Sequence, residues 1–327
     1  MLLTHRYEAA VDTPLKGKLL EIETSGLGRD RHSVTAIAVS ETKGNTLLTT
    51  QWIAASKEDE GALLTRALPV LMDQDVTVFH APFLVPFLSA RAERAGLSFA
   101  PGRITDLRTR ILSLKPFYPF EKGSRRAIAE ALFLPLPSEP DGEDIARLTR
   151  RLYKRYDKAV ADRIAAHNLT HMQALYGMAV FVRRWRQYLT RNHSFFRHPV
   201  RLQTAEAAGD FLKATFVLRD EKPAFLVHGP CELDIASQRA TLRVQIKEGM
   251  ITETMPCLFT TTFDFPGLKD TTGFRVPEGV LLLQVEEKFL PDSLFALLEA
   301  LLAASGHGAS GFSEVRDKDQ GEHDDTH

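Results

Sequence analysis

Only two cysteines, Cys231 and Cys257, occur among 327 residues, which excludes a disulfide framework and fits a reducing cytoplasm. An excess of either charge is also lacking. The 41 Lys and Arg nearly balance the 42 Asp and Glu, so no global field draws the chain to nucleic acid or membrane, and any such attraction must come from local patches. No apolar run approaches a membrane span, and the start, Met1-Leu2-Leu3-Thr4-His5-Arg6-Tyr7-Glu8, has no basic region followed by an apolar stretch and a cleavage site. The expectation is a cytoplasmic protein with no membrane partner. No internal repeat is visible. What is present is 44% hydrophobic content, ample for the cores of one large or two ordinary domains.

The stretch that organises the rest is Leu19-Leu20-Glu21-Ile22-Glu23-Thr24-Ser25-Gly26-Leu27-Gly28. Alternation places Leu20, Ile22 and Thr24 on one face of a strand and Glu21 and Glu23 on the other, until the glycines break the pattern. Two acids side by side on an apolar strand repel and are costly to bury. They belong at a water-filled edge, beside basic groups, or around a cation. An exposed strand edge is the plainest alternative.

Residues 33–40 and 45–54 read as two further strands joined by a hairpin at Gly44, so three strands open the domain. Residues 58–72 have helical spacing at Leu63, Leu64, Leu68 and Leu71, with Pro69 expected to kink them. A short strand at 76–79 leads through His80 into a helix over 82–97. Ile104 to Leu107 suits a strand end, 115–122 an aromatic loop, and 124–132 and 143–156 two helices. This order predicts a mixed sheet with helices on its faces.

The helix over 143–156 carries a stripe of Arg147, Arg150, Arg151, Lys154 and Arg155, continued by Lys158. It suits a phosphate track or an ordinary solvated face. The next helix, 162–184, holds His167-Asn168-Leu169-Thr170-His171, with the two histidines one turn apart on one face. Local hydrogen bonds satisfy such a pair unless the acids of the first strand come close. Residues 181–201 hold six arginines, among them Arg183, Arg184 and Arg186, together with Trp185, Tyr188, Phe195 and Phe196. That mixture suits phosphate contacts with stacking platforms or a linker helix with solvated arginines.

Near Pro199 the pattern changes. Alternating segments at 211–218, 224–228, 240–247, 251–255 and 280–285 predict a smaller β-rich region over 199–304, closed by a helix at 294–304. Residues 305–327 are polar and Gly-rich and are expected to be a disordered tail, with His307, His323 and His327 too scattered for a metal motif. The first domain is expected to occupy residues 1–198.

The order of an acidic strand, Val78-Phe79-His80-Ala81-Pro82-Phe83-Leu84-Val85-Pro86-Phe87-Leu88 and a late His167-Asn168-Leu169-Thr170-His171 resembles the YprB-like ribonuclease H-like domain. That domain is a branch of the DnaQ-type DEDD 3′-5′ exonuclease superfamily. The resemblance covers roughly residues 16–190 and extends to Gln51-Trp52, Ile104-Thr105-Asp106 and the segment from Gly142 to Tyr156. It implies an α/β, ribonuclease H-like mixed sheet flanked by helices. In that family the motifs read Asp-Ile-Glu-Thr-Thr-Gly, Asn-Gly-x-x-Phe-Asp-x-Pro-Phe-Leu and His or Tyr-Asn-x-x-Asp, and four acids hold two cations about 3.5–4 Å apart. Here Glu21 matches the first Asp and Glu23 the following Glu. The second Asp falls on Leu84, and the third on His171. His167 matches the residue near the scissile phosphate, and His80 only approximates the Asn.

The resemblance thus implies a degenerate site of Glu21, Glu23, His167 and His171. The first expectation is a catalytically inactive exonuclease fold, with no cofactor, that binds single-stranded nucleic acid through Arg147, Arg151, Lys154, Arg155, Arg183, Arg184 and Arg186. A second is a metal-dependent 3′-5′ exonuclease with Mn²⁺, Mg²⁺ or Zn²⁺ held by Glu21, Glu23 and His171, with His80 or Asp106 as further ligands. Asp106 suits a residue capping or bracing the loop better than a ligand. A third is a protein-interaction module whose partner docks on the C-terminal region.

Overall fold

The computed structural model describes residues 1–137 and 142–306, so the tail from 307, with its three histidines, lies outside the described residues. The chain forms two compact units, Met1–Ser113 with Phe120–Arg184, and Leu114–Pro119 with Trp185 onward.

The first unit opens with β1 (Leu2–Ala10), β2 (Lys18–Thr24), β3 (Val34–Lys43) and β4 (Thr46–Ala54). Four strands stand where three were expected. The added β1 pairs antiparallel with β4 at the sheet edge and is half-exposed on both faces, so its sequence carries little apolar alternation. The β3–β4 hairpin forms as expected, with Gly44 at φ +57°. α1 (Glu60–Ala67) tightens into a 3₁₀ turn over Leu68–Leu71, because Pro69 has no N–H for a further α-helical bond. Then follow β5 (Val76–Val78), α2 (Ala81–Arg94), β6 (Ile104–Asp106), α3 (Leu107–Leu112), α4 (Arg125–Ala131), α5 (Gly142–Lys154) and α6 (Lys158–Tyr188). α3 occupies residues not expected to be helical.

The sheet order is β1-β4-β3-β2-β5-β6. β2 runs parallel to β5 and antiparallel to β3, and β5 runs parallel to β6. This is a mixed sheet in an α/β unit, and the acidic strand is interior, which removes the exposed-edge alternative. One face of β2 buries Leu20 and Ile22 against Leu63 and Leu64 of α1 and Leu84, Phe87 and Leu88 of α2. Each such side chain contributes about 1.5–3 kcal/mol on burial. The opposite layer packs Ala36 and Ile53 against Ile145, Leu148 and Leu152 of α5 and Val160, Ile164 and Ala165 of α6. Glu23 stands opposite Ala36 in the register and Ile22 opposite Ile37. The acids of β2 therefore face the α5–α6 layer. The chain leaves β2 at a tight turn, where a Cβ on Gly26 would meet the His32 ring at 2.6 Å.

The second unit contains β7 (Thr190–Arg191), β8 (Val200–Ala208), β9 (Phe211–Val217), β10 (Ala224–His228), β11 (Cys231–Ala236) and β12 (Arg239–Gln245) in an antiparallel sheet ordered β10-β11-β12-β9-β8-β7. A second antiparallel sheet holds β13 (Lys247–Thr252), β14 (Met255–Thr261), β15 (Val280–Val285) and β16 (Lys288–Phe289), and α7 (Pro291–Ala304) follows. The strand expected at 251–255 is instead a turn: Glu253 and Thr254 reverse the chain between β13 and β14. Both cysteines are free and buried, and burial pushes the Cys231 thiol up to about 12. Among the described residues, no helix is long and apolar enough to cross a membrane.

Candidate functional site

Strand alternation delivers Glu21 and Glu23 to one face of β2, where they are only 3% and 7% exposed. Two carboxylates there require compensation. Glu21 finds it in Arg125, the first residue of α4, whose Nη1 donates to Oε1 at 2.7 Å. Ser124 caps α4 by accepting from the Ala127 N–H at 3.3 Å. The Arg125 guanidinium also lies 4.8 Å from the Phe79 ring centre, so helix start, ring and carboxylate together hold the cation in place.

Glu23 has no Lys or Arg bound to it among the described residues. Its Oε1 lies 3.6 Å from His167 Nε2 and 3.4 Å from His171 Nδ1, and that oxygen makes no hydrogen bond. Burial pushes the Glu23 carboxyl up, offset in part by His167, Arg125 and Asn168. Burial drives His171 the other way, down to about 4, aided by the positive charge of Arg125 and opposed by Glu21. His171 is therefore neutral at neutral pH, and its close approach to Glu23 is not an ion pair.

The two histidines meet because α6 brings residues four apart onto one face. Their ring centres are 4.3 Å apart in an edge-on arrangement. Behind them, Gln51 Nε2 donates to Asn168 Oδ1 at 2.7 Å and to the Ala165 carbonyl at 3.1 Å. This anchor from β4 fixes the turn of α6 that carries His167.

Among the described residues, one set of donor atoms gathers within 4.8 Å of one another: those of Glu23, His167 and His171. The set differs from the expected Glu21, Glu23 and His171. His167 enters, and Glu21 is bound to Arg125. His80 is the residue before α2, where its carbonyl accepts from the Phe83 and Leu84 N–H groups. Asp106 caps α3 by accepting from the Thr109 N–H at 3.3 Å. Neither joins the cluster. Leu84 is packed in the core on the opposite face of β2.

A family model described as the RNase H superfamily matches residues 19–193. The chain belongs to the RNase H superfamily. Among curated proteins there is no match. The acidic strand of this RNase H-like chain is thus a central element of a nuclease-like fold.

On α5 of the RNase H-like unit, Ile145, Leu148 and Leu152 point inward, and Arg147, Arg150, Arg151 and Lys154 are exposed, as is Arg155 just after the helix. Arg147 pairs with Asp144, and Arg151 donates to Asp157 at 2.9 Å. Further along, Arg183 donates to the Pro14 carbonyl, Arg184 lines a cavity with Tyr176 and Phe181, and Arg186 is exposed. Of the expected stacking platforms, Trp185 packs edge-on against Tyr118 and Tyr188, and Phe196 is buried. These two aromatics serve packing in the second unit. Arg125 is the site residue that sequence reasoning missed. The only signal for it was the general demand of two buried acids for a cation.

Proposed function

We propose that the RNase H-like unit is a YprB-like relative of the 3′-5′ exonucleases that binds single-stranded nucleic acid in the cytoplasm without two-Mg²⁺ hydrolysis. The observation that carries this reading is the 2.7 Å bridge between Arg125 and Glu21. Mg²⁺ requires near-octahedral oxygen coordination, supplied by carboxylates together with substrate phosphates. Here one of the two acids on β2 already has a guanidinium partner, and the other is pushed toward its neutral form by burial. The remaining two positions that the resemblance assigns to acids hold Leu84 and His171. These donors do not fit a pair of Mg²⁺ ions.

The binding half of the proposal rests on the exposed cations at the C-terminal end of α5. Lys154 and Arg155 have solvated side chains and are available to replace counterions along a phosphate backbone. The test is anisotropy with single-stranded DNA and RNA oligonucleotides, alongside a Mg²⁺-dependent shortening assay. About two phosphate contacts predict an affinity loss of about 7-fold between roughly 50 and 200 mM salt. Lys154→Glu with Arg155→Glu should abolish most of the binding, and no shortening should occur. Mg²⁺-dependent trimming that Glu23→Ala abolishes would overturn the reading.

A second reading has its own observation. Phe225 and Val227 on β10, an edge strand of its sheet, are 59% and 60% exposed, which suits a protein partner at the C-terminal unit. Absence of binding to either oligonucleotide at low salt would favour it.

A further inference from the structure

We propose that Glu23, His167 and His171 form a binding site for one transition-metal dication of the Zn²⁺ class. This site is distinct from a carboxylate-held Mg²⁺ pair, and it does not depend on nucleic-acid binding. Its first support is geometric. A tetrahedral ion with bonds of about 2.0–2.1 Å sets its donors about 3.3–3.4 Å apart. Glu23 Oε1 stands 3.4 Å from His171 Nδ1 and 3.6 Å from His167 Nε2, so two edges of such a tetrahedron already exist.

The second support is the scaffold. Two histidines four residues apart on one helical face are the spacing that places two imidazoles on a single ion, and a carboxylate from a neighbouring element completes a His₂Glu set. α6 supplies the pair, and β2 supplies the acid at right register. Imidazole donors select Zn²⁺, Co²⁺ and their neighbours over Mg²⁺.

The third support is what these atoms lack. Glu23 Oε1 and His171 Nδ1 are buried and make no hydrogen bond, a costly state that coordination would relieve. Gln51 anchors Asn168 and the Ala165 carbonyl, and so fixes the turn of α6 that carries His167. The nearest cation, Arg125, is paired with Glu21, which offsets its repulsion of an incoming ion. Three protein donors leave a four-coordinate ion one position for solvent.

The test is titration of the full chain, stripped of metal by chelation, with Zn²⁺, Co²⁺ and Mg²⁺, followed by calorimetry and, for Co²⁺, by visible absorption. The expected result is one Zn²⁺ or Co²⁺ per chain, the intense visible bands of tetrahedral Co²⁺, and no comparable Mg²⁺ binding. Loss of outer-layer partners of a metal site costs about 10–100-fold in affinity, so His171→Ala, which removes a ligand, should cost at least that and abolish the bands. Glu23→Gln, which keeps the shape of the side chain, should do the same and guards against a folding defect in the histidine variant. Failure of the wild-type chain to bind either ion would overturn the assignment. So would affinity and spectrum that both variants leave unchanged, since the ion would then sit elsewhere.

Discussion

Two buried acids in the first unit, Glu60 and Glu23, are each 7% exposed, yet they have opposite surroundings. Glu60, at the start of α1, accepts from Arg91 Nε at 2.9 Å, from Arg91 Nη2 at 2.5 Å and from the Val34 N–H at 2.7 Å. Its charge is answered on every side. Glu23, on the strand that organises the same unit, faces two imidazoles and no bound cation, and burial pushes its carboxyl up. Burial alone therefore does not distinguish a site from a structural brace. What distinguishes them is whether the buried charge has been compensated by the fold.

The contrast can be tested by breaking the compensated member. Arg91→Ala leaves Glu60 buried beside an empty space and should cost about 3–5 kcal/mol, read as a lower urea midpoint at neutral pH. A loss under about 1 kcal/mol would mean that Glu60 relaxes to solvent and that the two acids are less different than they look.

The imidazole beside the uncompensated acid should announce itself through pH. His171 is lowered from 6.5 to about 4 in the folded chain, so the stability it contributes is present above the unfolded value of 6.5 and lost as pH falls toward 4. Its share of that loss reaches about 3 kcal/mol. In metal-free protein, His171→Asn should therefore show a shallower fall in stability than wild type between those two pH values. Parallel curves would place the titration elsewhere.

The smallest effect concerns how the cation of Glu21 is presented. Ser124→Ala removes the cap of α4 and should cost about 1 kcal/mol, measured by thermal unfolding. Leu or Val there should behave alike, whereas Asp should restore stability. Equal stability of Ala and Asp variants would show that the Glu21 contact, not the cap, holds this helix start.

Much of this arrangement was legible before the structure. The hairpin at Gly44 forms, with its positive φ, because turn chemistry is local. The helices over 82–97, 124–132, 143–156 and 162–184 appear as α2, α4, α5 and α6 within a few residues, since their apolar spacing has period 3.6. β1 was not legible, because an edge strand carrying Thr4, His5, Arg6 and Glu8 has no buried face to mark. β11 has a legible period of two: Cys231, Leu233 and Ile235 alternate inward against Glu232 and Asp234. The turn at Glu253 and Thr254 between β13 and β14 is not legible in the sequence, since Pro256 and a bulge in β14 blur the period of two.

By itself the sequence determined that Glu21 and Glu23 share one face of a strand and that His167 and His171 share one face of a helix. Both follow from backbone periodicity, which acts between near neighbours. Only the tertiary structure decided which charge each acid would meet. Arg125 reaches Glu21 across 104 residues of chain, and α6 brings its histidines to Glu23 from more than 140 positions away by numbering alone. No local pattern encodes such a pairing. It is set by the layer that packs over β2, and that layer assigns one acid to a guanidinium and leaves its neighbour two residues on with the imidazoles.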